Sequence, residues 1–209
     1  MILKNYFYYF KAALPDSFCN AVLKAAEPES HNHNYGLIAG VTDNSRIKHF
    51  TKLDKKAQKE LFKQRKSKVT WLNEPWIKNE INKYVEQANI AAGWNYIINE
   101  VEKAQFTTYD VKEYYEWHND CFTEPFENGN VRKLSVTVSL TDPKKYQGGD
   151  LEFDFKDQAP GKKSTVVCSE IKPRGSIVVF PSFVWHRVKP VTKGRRQSLV
   201  MWYGGPNFA

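Results

Sequence analysis

Two side chains two positions apart, His118 and Asp120, constrain this chain more than any other feature, because what they can do together depends on the backbone that joins them. On a β-strand residues i and i+2 project to the same side, a few ångströms apart. A helical pair of ligands would instead need a spacing of three or four. The run Tyr114-Tyr115-Glu116-Trp117 leading into His118 is aromatic and strand-forming, so the spacing predicts a strand that delivers both side chains to one face. Alone the pair is weak, because a hydrogen-bonded strand histidine explains His118 equally well.

A third candidate ligand, His186, strengthens the pattern through its surroundings. Gly175 to Phe180 is an apolar, β-branched run closed by Pro181, and Trp185 to Val191 resumes it, so two strands joined by a tight turn at Pro181-Ser182 are expected. Another alternating strand follows. In it Arg196, Ser198, Val200 and Trp202 share one face, while Gln197, Leu199, Met201 and Tyr203 share the other. Two imidazoles and one carboxylate converging on a point fill one face of an octahedron and leave three positions open, the ligand set of non-haem Fe(II) sites. His118, Asp120 and His186 are the candidates for it. An arginine directed into a barrel, as Arg196 would be, loses its hydration unless an anion meets it. A planar guanidinium grips a carboxylate through two parallel hydrogen bonds, which a lysine cannot do.

The rest of the chain reads as helices first and barrel second. Pro15-Asp16-Ser17 opens a short amphipathic helix to about Ala26, with Phe18, Val22 and Leu23 on its apolar side, and a second helix is expected over Lys55 to Arg65. The strongest helical pattern runs from Asn73 as cap to about Ala92. Its stripe of Ile77, Ile81, Tyr84, Val85 and Ala88 should pack on the outside of the barrel, and Gly93 should stop it. Residues 27 to 50 read as loop or edge strand, and His31 and His33 within them, lacking a third ligand nearby, read as surface residues. From Tyr96 onward short β-rich runs recur with Gly, Pro and Asn punctuation. The expectation is an α+β chain with a double-stranded β-helix (jelly-roll) core. It would form one domain over residues 1–209, with 1–95 a helical support region and 96–209 the barrel core.

His118-x-Asp120, Gly148-Gly149-Asp150-Leu151, His186, and Arg196 ten positions further on resemble the 2-oxoglutarate and Fe(II)-dependent dioxygenases. Within them, His186-Arg187-Val188-x-Pro190-Val191-Thr192-x-Gly194-x-Arg196-x-Ser198-x-x-x-Trp202 is similar to the prolyl 4-hydroxylase and PKHD-type branch. Arg65-Lys66-Ser67-x-Val69-x-Trp71-Leu72 and a helix ending at Ala88-Asn89 extend the likeness into the amino-terminal half. The resemblance implies that His118, Asp120 and His186 hold Fe(II). It also implies that Arg196 takes the distal carboxylate of 2-oxoglutarate, helped by Ser198 and by the hydroxyl of Tyr109, and that Trp202 lies beside iron and substrate. Tyr109, Ser198 and Trp202 can equally be barrel filling. The implied reaction is hydroxylation of an unactivated C–H bond with O2, 2-oxoglutarate yielding succinate and CO2, and ascorbate as an accessory.

The implied substrate is a prolyl residue of a protein or peptide. Two other readings share the chemistry: an oxidative nucleic-acid demethylase, and a hydroxylase of a free amino acid or small metabolite. A barrel that only binds would have lost a ligand or Arg196, and neither is missing.

The balance of 31 basic against 23 acidic residues gives +8, much of it between Lys52 and Lys68, which reads as a solvated helix face ahead of a nucleic-acid surface. No apolar stretch is long enough to span a bilayer, and Met1 to Phe10 lacks the apolar core of a signal peptide, so no membrane partner is expected. The three cysteines form no spacing motif, and reduced thiols together with ferrous iron point to the cytoplasm. Cys121, next to Asp120, reads either as a spectator thiol or as a target of oxidation. The polar loop Phe122 to Asn130, with two phenylalanines, is placed to be a lid over substrate or a plain connection.

Overall fold

A computed structural model describes residues 5–27, 34–35, 62–122, 124–155 and 165–208. In chain order the elements are β1 (Tyr8–Phe10), α1 (Asp16–Ala26), β2 (Asn34–Tyr35), β3 (Arg65–Lys66), β4 (Lys68–Leu72), α2 (Pro75–Ala91), β5 (Glu100–Val101), β6 (Ala104–Tyr109), β7 (Tyr114–His118) and β8 (Asn130–Ser139). The barrel then continues through β9 (Tyr146–Gly148), β10 (Leu151–Asp154), β11 (Thr165–Val167), β12 (Ile177–Pro181), β13 (Trp185–Val188), β14 (Val191–Gly194) and β15 (Arg196–Pro206).

Among the described residues, a major sheet runs β1-β12-β8-β15-β6-β4-β2 with β5 beside β15, and a minor sheet runs β11-β10-β13-β7-β3. From β6 to β8 and from β12 to β15 the chain swings between the two sheets: β6, β8, β12 and β15 are major, β7 and β13 minor. This winding makes the core a double-stranded β-helix. It also explains the Pro181-Ser182 turn. That turn is tight, as the sequence implies, but β12 pairs with β8 and β1 while β13 pairs with β10 and β7, so it carries the chain across the barrel and closes no hairpin.

The alternation predicted for β15 decides which residues reach the interior. Leu199, Met201 and Tyr203 turn outward into an apolar cluster with Leu134, Val136 and Val138 of β8 and with the helices. The inner cluster is built on Phe153, Phe180, Val178, Leu151, Tyr109 and Tyr115. Each such large side chain, once buried, stabilises the fold by roughly 1.5–3 kcal/mol relative to exposure.

The helices differ from expectation at their edges. Helix α2 buries Ile77, Ile81, Val85 and Ala88, and Gly93 at φ +74 ends it. Its first residue, however, is Pro75 with Glu74 at the cap, in place of Asn73, because proline has no N–H to lose and its φ is already helical. Helix α1 buries Cys19, Val22 and Ala26, with Phe18 and Leu23 on the flanks of that face. Residues 62–64 are helical and Arg65 begins β3; the rest of the helix expected over Lys55 to Arg65 lies outside the described residues, as do His31, His33 and most of the Lys52–Lys68 stretch. Of that stretch, Lys68 in β4 bonds Asp110 at 2.6 Å. The first 95 residues contribute strands as well as helices, since β1, β3 and β4 join the sheets. β1 and β3 are short edge strands with too few residues to show a period of two.

Candidate metal centre

His118 and His186 are cross-strand partners in register on β7 and β13, with ring centroids 4.1 Å apart. Asp120 reaches them from just beyond the strand, a departure from the simple picture of two ligands on one ladder. Its backbone N–H donates to the Ser182 carbonyl at 2.8 Å, which ties the end of β7 to the turn between β12 and β13. His118 Nε2 is then 3.7 Å from Asp120 Oδ1, and His186 Nε2 is 3.6 Å from Asp120 Oδ2. All three donor atoms lie within 4.8 Å of one another.

Each ring is held so that the same nitrogen points inward. Nδ1 of His118 lies 2.8 Å from the Glu116 carbonyl, and Nδ1 of His186 lies 2.9 Å from the Val184 carbonyl. A carbonyl only accepts, so Nδ1 carries the proton and Nε2 keeps its lone pair for a metal. Tyr115 stacks on His118 at 3.5 Å, and Phe180 meets His186 edge-on at 4.7 Å. Ser135 Oγ donates to Asp120 Oδ2 at 2.7 Å and is itself 3.0 Å from Ser182 Oγ. Burial and the neighbouring His186 hold His118 down to about 3, against the pull of Asp120. Burial pushes the Asp120 carboxyl up, but His186, His118, Arg132 and the Ser135 hydroxyl outweigh it and bring it to about 2. Lone pairs on two imidazoles and a charged carboxylate make a donor set that fits a divalent cation of the Fe(II) type.

Arg196, 4% exposed, stands at the start of β15 opposite Tyr109 of β6. Its Nη1 donates to Ser198 Oγ at 3.2 Å and its Cζ lies 5.5 Å from the Tyr109 ring centroid. Arg132, Arg174, Arg187 and Arg195 each pair with a carboxylate, whereas no ion pair joins Arg196 to an acid among the described residues. A buried guanidinium without a counter-ion is costly, and an incoming anion would offset that cost. Gly149, at φ +63, makes room for it: a Cβ there would come 2.9 Å from Arg196 Cδ.

Residues 104–204 match the family model of the 2OG-Fe(II) oxygenase superfamily. The barrel core belongs to that superfamily. A PKHD-type hydroxylase of Pseudoalteromonas atlantica is 31% identical over 107 residues, which cover 50% of this chain and 44% of the relative. A PKHD-type hydroxylase of Shewanella sp. strain MR-7 is 35% identical over 98 residues, 46% of this chain and 40% of the relative. The matched segments thus span less than half the length of these curated relatives. Among solved structures, a Pseudomonas putida prolyl-4-hydroxylase superposes with TM-score 0.64 at 18% identity, covering 96% of this chain and 93% of that one. A Trichoplax adhaerens prolyl hydroxylase, solved with a hypoxia inducible factor peptide fragment, gives 0.59 at 20% identity, with coverage of 96% and 84%. At those identities the likeness is one of fold.

The oxygenase barrel of this chain also uses residues that sequence reasoning passed over. Arg132 on β8 bonds Glu102 through Nε and Nη2 at 2.5 and 2.6 Å and donates from Nη1 to the Asp120 carbonyl at 3.3 Å. Its guanidinium lies between the rings of Phe122 and Trp202, with Cζ 4.5 and 4.1 Å from their centroids. Trp202 is 6% exposed, and its Nε1 is buried with no hydrogen-bond partner among the described residues. Ser135 left one usable trace, a polar side chain between the apolar Leu134 and Val136 of β8, whereas Ser182 lies in a turn and Arg132 in a polar stretch. In the loop after Asp120, Phe122 meets Phe126 edge-on at 5.2 Å, and the Asn128 and Asn130 side chains donate to Glu100 at 3.0 and 2.8 Å, tying the loop to β5.

Proposed function

We propose that the chain is an Fe(II)- and 2-oxoglutarate-dependent hydroxylase of a prolyl residue in a protein or peptide, with succinate and CO2 released. The observation that carries this reading is the convergence of His118, Asp120 and His186, together with a buried Arg196 that has no acid partner among the described residues. In this reading the three residues hold Fe(II), which with 2-oxoglutarate and O2 supplies the oxidation of a C–H bond. Arg196 and Ser198 fix the far carboxylate of 2-oxoglutarate, and the Tyr109 ring walls that end of the cavity. Tyr115 and Phe180 exclude water from the imidazoles, and the Glu116 and Val184 carbonyls keep both Nε2 lone pairs directed inward. Trp202 faces the substrate.

The peptide fragment in complex with the Trichoplax enzyme supports a peptidyl substrate. We further propose one domain over residues 1–209, a cytoplasmic location and ascorbate as accessory reductant. No helix of the described residues is long and apolar enough to cross a membrane.

The test is succinate release with Fe(II) and 2-oxoglutarate against proline-containing peptides, free proline and methylated oligonucleotides. A peptide should stimulate release most, and His186→Ala should abolish it with every substrate. Preference for the oligonucleotides would overturn the prolyl reading.

A further inference from the structure

Part of the positive charge of this chain gathers at one end of the barrel. The loop between β6 and β7, the two-stranded ribbon of β9 and β14, and the 3₁₀ turn Pro143–Lys145 meet there. The Lys112 N–H donates to the Val191 carbonyl at 2.8 Å, which fixes the loop on β14. Lys112 is presented at φ +68, a left-handed conformation that an ordinary residue adopts at a cost and that this contact maintains. In the ribbon Lys193 opposes Gln147 and Gly194 opposes Tyr146, and a Cβ on Gly194 would overlap the Lys145 carbonyl. Steps of about 3.3 Å along a strand and 4.8 Å between strands therefore keep Lys193 within about 12 Å of Lys112, Lys144 and Lys145.

All four lysines are exposed, and no hydrogen bond or ion pair engages their ammoniums among the described residues. Beside them Lys68 and Arg195 share one carboxylate, Asp110, at 2.6 Å each, so that group keeps a positive charge. Two further carboxylates of these segments answer to the backbone. Glu113, 5% exposed, accepts from the Asp110 N–H, and Asp142 accepts from the Lys144 N–H. Six cations thus stand against three carboxylates, at spacings comparable to the screening length of about 8 Å in physiological salt, so their fields add.

Phosphates are the anions that suit this surface. All but one of the six cations are lysines, compact and rotatable point charges that meet phosphate oxygens without the fixed fork a carboxylate favours. The chain as a whole carries +8, so long-range attraction favours a polyanion. Among the described residues, no exposed aromatic side chain belongs to these segments, so unpaired bases find nothing to stack on. A duplex, which hides its bases and displays its phosphates, meets what is present. The place is also remote from the metal ligands. Ser135, which bonds Asp120, opposes Trp202, six positions past Arg196 and about 20 Å along β15 from the Arg195 end.

We propose that Lys112, Lys144, Lys145 and Lys193, with Arg195, form a docking surface for duplex nucleic acid that grips phosphates and reads no sequence. It goes beyond the hydroxylase reading: the duplex is a platform on which the protein sits, and the compound oxidised is a different one.

Fluorescence anisotropy of labelled duplexes of about 20 base pairs, titrated with the full chain, tests it. Unrelated sequences should bind alike, with dissociation constants of roughly 1–100 µM near physiological salt. Log affinity should fall against log salt with a slope of about −4, since each phosphate neutralised contributes about −0.9. Lys112→Gln with Lys193→Gln, and Lys144→Gln with Lys145→Gln, should each make that slope shallower by about 2. Lys78→Gln with Lys83→Gln removes the same charge from exposed positions on α2 and should leave the slope as it was. DNA and RNA duplexes of one sequence, run side by side, name the source of the phosphates by the tighter grip. No binding at about 50 mM salt, a sequence preference above about tenfold, or equal loss in the α2 variant overturns the surface. Displacement of the duplex by poly-glutamate at equal charge overturns the nucleic-acid assignment. No turnover is read, so each of these outcomes leaves the hydroxylase reading to its own succinate test.

Discussion

Ser135 donates to Asp120 Oδ2 at 2.7 Å across the interior of the barrel, so a residue of the major sheet aims the carboxylate that completes a set of donors mounted on the minor one. Removing that hydroxyl frees the carboxylate to rotate and takes away one of the interactions holding it charged. In Ser135→Ala the affinity for Fe(II) or Mn(II) should fall by about 10–100-fold. Competition with a calibrated chelator reads the change, and unaltered affinity would show that the hydrogen bond does not support the ligand.

Gly149→Ala tests the pocket around Arg196 without touching its charge. The added methyl would sit 2.9 Å from Arg196 Cδ on a backbone at φ +63, so either the guanidinium or the loop must shift. Binding of 2-oxoglutarate should weaken by about tenfold or more, as misplacing a bidentate contact does. Titration of the Mn(II)-loaded protein with 2-oxoglutarate measures it, and native affinity in the variant would refute the steric role of the glycine.

Acid should destabilise the metal-free protein. His118 is held to about 3, below its ordinary 6.5, so between those values the unfolded chain binds a proton that the folded one refuses. Stability therefore rises with pH across that interval and is lost as pH falls from about 6.5 toward 3. Asp120, held to about 2 from 3.8, acts in the same direction at lower pH. Thermal unfolding without metal should show the midpoint dropping from pH 7.5 to pH 5, with a smaller drop in His118→Gln. Equal slopes in the two proteins would assign the effect elsewhere.

Ile81→Ala separates support from chemistry. Ile81 is fully buried between α2 and the outer face of the major sheet, in a different cluster from the one around the imidazoles. Its truncation should cost about 2–5 kcal/mol of stability. Denaturant unfolding reads that loss, while metal affinity at low temperature should stay native. A parallel collapse of metal binding would mean that the helix does more than hold the sheet.

Glu102→Gln leaves the Arg132 guanidinium buried against Phe122, Trp202 and the Asp120 carbonyl with its counter-charge gone. Breaking one side of such a pair costs about 3–5 kcal/mol when fully buried, and less here because Glu102 is partly exposed. The midpoint of unfolding should fall, and Trp202 fluorescence should shift as the stack loosens. A native midpoint would show that Arg132 is satisfied without Glu102.

The period-two logic of a strand is local, and for that reason the one-dimensional order of residues already determined a great deal: the strand character of Tyr114 to His118, the inward placement of Arg196, Ser198 and Trp202 against the outward Leu199 and Met201, and the buried stripe of α2. Register and partner choice are not local. Only the folded barrel decided that β12 and β13 lie in opposite sheets, that Asp120 leaves the ladder to hang on Ser182, and that Ser135 and Arg132 gather around it. Those relationships join residues separated by tens of positions through loop closure, bulging and the accounting of buried charge, and neighbouring residue types along the chain carry no record of them.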